Sequence, residues 1–295
     1  MKKYIFTLFI VGMAISLQAQ RDWDKIEITI EKAAENIYVL KGSGGNIGVA
    51  VSDNGVYMID DQFAPLTDKI LAAITTITDQ PVRFLVNTHW HGDHTGGNEN
   101  LGNKGTIIIA HENVRKRMST KQFRGMGRIV EPSPPVALPQ ITFSDDMTIY
   151  LDSITPMMVI HVHDAHTDGD SFVYFPKQNV LHMGDTFFGG NYPFIDLNSG
   201  GSIDGLITAI NKALFIVNDK TVIIPGHGNL SNRQELSAYR DVLSDIRERI
   251  KTAKSEGKTL EAVKEMGLTK EWDDTRGQGF INAEKIVEFV FNSLP

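Results

Sequence analysis

Cysteine is absent from all 295 residues. That removes disulfides, thiol nucleophiles, thiolate-held zinc and iron–sulfur clusters together, so any metal must rest on nitrogen and oxygen. Long basic stretches are also missing, and the formal net charge is −7. An acidic chain without a cationic face is poorly built to grip phosphate backbones, so nucleic acid is not an expected partner. No apolar run reaches the roughly 20 residues needed to cross a bilayer. The longest, Tyr4–Leu17, follows Lys2 and Lys3 and precedes the small residue Ala19. This reads as a secretory signal peptide over residues 1–19, giving an exported (periplasmic or secreted) protein with no stable membrane anchor. Its removal would take the net charge to −9, because Lys2 and Lys3 go with it.

The rest reads as short strands alternating with helices. Ile26–Ile30 alternates, Asn36–Lys41 and Asn46–Val51 follow, and Asp53-Asn54-Gly55 supplies a hairpin turn into Val56–Ile59. Leu66–Ile77 spaces its apolar residues as a helix, Arg83–Asn87 and Thr106–Ala110 as strands, and Glu112 begins another helix. Residues 116–140, with Pro132, Pro134, Pro135 and Pro139, read as a loop or short-helix excursion. Strands resume at Ile141 and recur at Met157–Val162, Ser171–Phe175, Asn179–Met183 and Thr221–Ile224, with a helix over Ser202–Val217. Ser231 and Gln234 form a capping-box pattern ahead of a helix whose Leu236, Tyr239, Leu243, Ile246 and Ile250 share one face. These observations divide the chain into the signal peptide, a catalytic domain over 20–252 and a helical C-terminal extension over 253–295.

Chemistry concentrates in Thr88-His89-Trp90-His91-Gly92-Asp93-His94, directly after an apolar strand. Packing gives no reason to crowd three imidazoles and a carboxylate into six residues, whereas open divalent-metal sites take those ligands. Further candidates stand just past strand ends: His166 after 157–162, Asp185 after Asn179–Met183, and His227 after Thr221–Ile224. Strand ends are rigid supports that open onto loops. His161, His163 and His182 lie in or beside strands and read as structural or supporting residues, and His111 as a helix cap or packing residue. Asp60 is a candidate to orient the metal-binding loop from behind, while Asp61 reads as a residue that solvates a loop. Phe187, Phe188, Tyr192 and Phe194 follow Asp185 and are candidates for an apolar substrate rim.

With His89, His91, Asp93, His94, His166, Asp185 and His227 in that order, the chain resembles the metallo-β-lactamase superfamily over residues 37–230. The resemblance implies an α+β fold, a four-layer αββα sandwich of two mixed sheets with helices outside. It implies that His89, His91 and His166 hold one metal, Asp93, His94 and His227 a second, and that Asp185 bridges both. β-Lactamases of the superfamily generally lack a bridging aspartate there; one subclass has a cysteine, followed three residues later by a substrate-binding lysine. Asp185 and Phe188 at those places resemble the glyoxalase II, thioesterase and lactonase branch instead.

Two divalent ions, zinc with iron or manganese as alternatives, would share a bridging hydroxide that cleaves an acyl bond of a small molecule: an ester, thioester, lactone or lactam. Asp93 would orient the water and carry its proton. Two alternatives stand beside this reading. One is a β-lactamase acting on β-lactam antibiotics, the other a single-iron oxidoreductase of sulfur compounds.

Overall fold

The computed structural model describes residues 22–124 and 128–295. The expected signal peptide lies outside the described residues. The first sheet begins with β1 (Thr29–Ala34), β2 (Ile37–Lys41), β3 (Ile47–Ser52) and β4 (Gly55–Ile59), each antiparallel to the last. Helix α1 (Thr67–Thr75) then crosses to β5 (Val82–Val86), parallel to β4. Helices α2 (Gly92–Thr95) and α3 (Asn98–Asn103) lead to β6 (Ile107–His111), and α4 (Glu112–Met118) follows it. A separate hairpin, β7 (Gln122–Arg124) with β8 (Arg128–Val130), precedes β9 (Ile141–Phe143), which closes the sheet beside β6.

The second sheet runs β10 (Asp146–Tyr150), β11 (Pro156–His161), β12 (Ser171–Phe175), β13 (Val180–His182) and β14 (Val222–Ile224). Only its last pair is parallel, with α5 (Ile203–Ile216) as the crossover. The long α6 (Arg233–Ser255), then α7 (Leu260–Glu265), α8 (Lys270–Arg276) and α9 (Ala283–Ser293), complete the chain.

Three apolar clusters account for the layers. Val39, Ile59, Val86 and Ile109 from the first sheet meet Val159, Val173, Phe175 and Ile224 from the second, fully out of water. The other face of the first sheet packs on α1 through Ile70 and Ile74. The other face of the second packs on α5, α6 and α9 through Leu206, Ile210, Leu243, Ile246 and Ile286. Burial on both faces explains why β4 is continuously apolar rather than alternating. The result is the expected αββα sandwich of two mixed sheets.

Local expectations shift in four places. The first strand starts at Thr29 rather than Ile26, because pairing with β2 sets Thr29 opposite Lys41, and Ile26 and Ile28 instead pack around the first sheet's helix side. Residues 116–140 contain the β7–β8 ribbon in addition to a 3₁₀ turn at Pro135–Ala137. The cap of α6 is Asn232, whose side chain accepts from Glu235 N at 3.0 Å, while Ser231 Oγ donates to the Glu235 carboxylate at 2.6 Å. The expected boundary at 252/253 falls in the last turn of α6. Val263, Ile281, Ile286 and Val290 beyond it join the same apolar cluster as α5 and α6.

Candidate metal centre

β5 ends at Val86, and the next five residues turn into α2. The turn is held from behind by Asp60, the residue just after β4. Its backbone sits at φ +61°, a left-handed conformation that a non-glycine residue adopts at a cost. That geometry aims the buried carboxylate at the loop. Thr88 N donates to Asp60 Oδ1 at 2.8 Å, and Thr88 Oγ1 and His94 Nδ1 donate to Oδ2 at 2.7 Å each. Asp61, expected to solvate a loop, is instead buried and accepts from Gly97 N at 2.9 Å. Burial pushes its carboxyl well above the usual range.

Seven side chains converge in front of this support, in two groups. His89, His91, His166 and Asp185 bring one ligand-type atom each to within 4.8 Å of one another, as do Asp93, His94 and His227. Asp185 stands between them with its two oxygens divided. Oδ2 lies 3.8 Å from His89 Nε2 and 3.6 Å from His166 Nε2, and Oδ1 lies 3.1 Å from His94 Nε2 and 3.4 Å from His227 Nε2. Asp93 Oδ2 lies 3.4 Å from His227 Nε2 and 3.7 Å from His94 Nε2.

The outward nitrogens fix which ring atoms face inward. His166 Nδ1 donates to Phe194 O at 2.7 Å, and His91 Nε2 donates to Asp196 Oδ2 at 2.9 Å. Thr88 Oγ1, already donating to Asp60, accepts from His89 Nδ1 at 3.1 Å. Neutral rings so engaged turn their acceptor nitrogens into the site. His91 Nδ1 and His166 Nε2 then face each other at 2.8 Å, and His89 Nε2 is buried with no hydrogen-bond partner. Facing lone pairs repel unless a cation lies between them, so these residues fit a metal ion.

Electrostatics agrees. Burial holds His89 well below the ordinary histidine value, with the nearby charge of His94 adding to the effect. Burial also opposes charge on His94 and His227, yet the surrounding carboxylates win. Asp185, Asp60 and Asp93 hold His94 well up, and Asp185 and Asp93 lift His227 to about 9. Asp185 and Asp93 are in turn held below the usual carboxylate range despite burial, by His94 and His227 for Asp185 and chiefly by His94 for Asp93. A metal cation would take the place of the protons that these carboxylates now hold on His94 and His227.

Two glycines bring backbone directly against these groups. A Cβ at Gly45 would collide with the His94 ring, and one at Gly226 with Asp185 Oδ1.

The four expected rim aromatics divide. Phe188 is half-buried and stacks on His227, with centroids 5.4 Å apart and planes 8° apart, and Phe194 lies 5.7 Å from His91 and 5.6 Å from His166. Phe187 and Tyr192 are core residues instead. Phe187 packs edge-on against Tyr239 at 5.0 Å, and the buried Tyr192 donates its hydroxyl to Asp273 at 2.9 Å. Consecutive residues on an extended loop point to opposite sides, which composition alone does not resolve.

Asp196 is the site residue that sequence reasoning missed. It is held well below the usual carboxylate range: burial opposes this, and its bonds to His91 and Ser199 prevail. Its position 11 residues beyond Asp185, outside any motif, carried no signal.

A family model of the metallo-beta-lactamase superfamily matches residues 40–227, and the chain belongs to that superfamily. It is a metal-dependent hydrolase of that superfamily with a His/Asp metal-binding cluster. It is 24% identical over 264 residues to the metallo-beta-lactamase type 2 of Bacteroides fragilis, spanning 82% of this chain and 96% of that one. It is 25% identical over 181 residues to a hydroxyacylglutathione hydrolase of a Polaromonas species, covering 60% of each. Among solved structures, the sec-alkylsulfatase Pisa1 from a Pseudomonas species superposes with a TM-score of 0.71 at 15% identity, covering 90% of this chain and 50% of that one. A metallo-beta-lactamase from Pontibacter korlensis superposes with a TM-score of 0.60 at 20% identity, covering 74% and 100%.

Proposed function

We propose that this protein is an exported binuclear hydrolase of small acyl compounds: esters, thioesters, lactones or lactams. In this reading His89, His91 and His166 hold one divalent cation, Asp93, His94 and His227 a second, and Asp185 serves both. The observation that carries it is the division of the Asp185 carboxylate, one oxygen toward each imidazole group. Zinc is the proposed ion, because the donor set is nitrogen-rich with carboxylate oxygen.

Held by these residues, divalent cations would supply a hydroxide nucleophile near neutral pH and would polarise the carbonyl under attack. The chain's own residues do the rest. Asp93 and His227 are the exposed members, their side chains 28% and 30% accessible, so substrate approaches from their side. Asp93 accepts the hydrogen bond that orients the attacking water and takes its proton for delivery to the leaving alcohol, thiol or amine. Asp60, Thr88 and Asp196 hold the imidazoles in tautomer and direction, which would keep their inward nitrogens aimed at the cations. Phe188 and Phe194 shield the imidazoles from water on one side.

A β-lactam reading is favoured by the likeness to the Bacteroides fragilis enzyme along almost its whole length. Phe188, stacked on His227 where a lysine would hold the drug's carboxylate, weighs toward the other acyl substrates.

The test is metal analysis followed by hydrolysis of a chromogenic cephalosporin, a glutathione thioester, a homoserine lactone and an aryl ester. About two metal ions per chain are expected, with activity abolished by chelation and restored by zinc. Asp93→Ala lowers kcat by about 10²–10⁴-fold, the range for loss of a positioned proton carrier. A metal-free preparation that hydrolyses its best substrate equally well overturns the proposal.

A further inference from the structure

Two phenylalanine rings, Phe188 and Phe194, lie against the imidazoles of the candidate metal centre, and a third, Phe280, extends outward from Phe194. Phe188 stacks on His227 and meets His166 edge-on at 6.0 Å, and Phe194 lies against His91 and His166. Between them they touch imidazoles of both groups. The row continues into the C-terminal helices, with Phe280 6.3 Å from Phe194 at an interplanar angle of 75° and Phe289 of α9 backing Phe194 at 5.4 Å.

Phe280 is 77% exposed, yet it is held in place. On one side of it, Gly279 lies so close to Asn191 that a Cβ would come within 2.8 Å of the Asn191 amide oxygen. On the other, Ile281 is buried. The Lys285 ammonium sits over the ring at 4.9 Å, and Tyr192 N donates to Arg276 O at 2.9 Å, fastening this segment to the loop that carries Phe188 and Phe194. An aromatic ring kept in water by its surroundings, in line with two rings that reach the chemistry, is a surface waiting for an apolar partner.

We infer that Phe188, Phe194 and Phe280 form the acyl-side wall of the substrate site, selecting compounds whose carbonyl carries an apolar alkyl or aryl group longer than acetyl. The inference rests on the acyl-hydrolase reading above. With the carbonyl at the cations, the tail lies along Phe194 and ends on Phe280, and Phe280 therefore determines specificity without touching the reacting atoms. Each methylene laid on such a wall loses part of its water contact, worth less than the roughly tenfold that a methylene brings in an enclosed pocket, so several together give the discrimination.

Two ratios test this on the zinc-loaded full chain. The first is kcat/KM for an octanoyl aryl ester over its acetyl counterpart. The second is the Kd of acetate over that of octanoate, by calorimetry. Both are expected to exceed tenfold in the wild type, to fall by about tenfold in Phe280→Ser, and to be largely retained in Phe280→Leu, which keeps an apolar surface. Ratios equal in wild type and Phe280→Ser, with esters turned over, overturn the wall and leave the acyl-hydrolase reading intact. No metal-dependent turnover of any ester, thioester, lactone or lactam, with the carboxylate Kd ratio still falling in Phe280→Ser, sinks the acyl-hydrolase reading and keeps the wall.

Discussion

Two clusters of histidine in this molecule use the same ring to opposite ends. His89, His91, His94, His166 and His227 turn nitrogens toward two carboxylates, with most outward nitrogens spent on Asp60, Thr88, Phe194 O and Asp196. His111, His161 and His163 also crowd together, the first two stacked at 3.7 Å with planes 6° apart and the third edge-on to His161 at 4.5 Å. There three of the ring nitrogens are occupied by backbone. His111 Nε2 donates to Ser144 O while its Nδ1 accepts from Asn113 N to cap α4, and His161 Nδ1 donates to Asp170 O. Among the described residues, no metal-sized group of ligand atoms includes any of these three. Crowded imidazoles are therefore not in themselves a site. Ring nitrogens gathered around a shared carboxylate are what distinguish the first cluster.

The sharpest way to break this contrast is Asp185→Asn. It removes the charge that both imidazole groups face, and the expected loss in kcat/KM exceeds the roughly 10–100-fold typical of outer partners, with metal content falling as well. Wild-type metal content and activity in this variant would remove the basis for the two-cation reading. Next in size is Asp196→Asn, which leaves the ligand atoms in place but weakens the grip on His91. Metal affinity is expected to drop by about 10–100-fold, with activity recovering at raised zinc. Failure to recover with added metal would make Asp196 a packing residue.

The second cluster should respond to acid rather than to metal. Burial, aided by the charge of His111, lowers His161 to about 4. As pH falls through 6.5 the unfolded chain takes up this proton first, so the stability contributed by neutral His161 is present above pH 6.5 and is lost between 6.5 and 4. His161→Phe should abolish a part of the acid destabilisation between pH 7 and pH 5 worth about 1 kcal/mol, read from denaturant midpoints. Its zinc content should equal the wild type's, and a loss of metal would erase the distinction between the clusters.

Much of this was legible before folding. Metal-type residues at successive strand ends announced a site, because strand ends are where a sandwich opens, and hydrophobic periodicity located most strands and helices of both sheets. What could not be read depended on direction or on partners distant in the chain. Phe187 and Phe188 are adjacent and chemically identical, yet one joins the core beside Tyr239 and the other covers His227. Asp196 resembles any loop aspartate until His91 is placed against it. Phe280, in a tail without visible chemistry, gains meaning only when Phe194 is brought beside it.

Gly45 and Gly226 carry no functional group, yet the main chain at each touches a residue of the site without an intervening atom. In a library of random substitutions these two positions should be as unforgiving as the histidines themselves, since even alanine would push His94 or Asp185 out of line. The inactive variants would retain every group that performs chemistry, so a search for the active residues by loss of function alone would be led to positions that have nothing to donate.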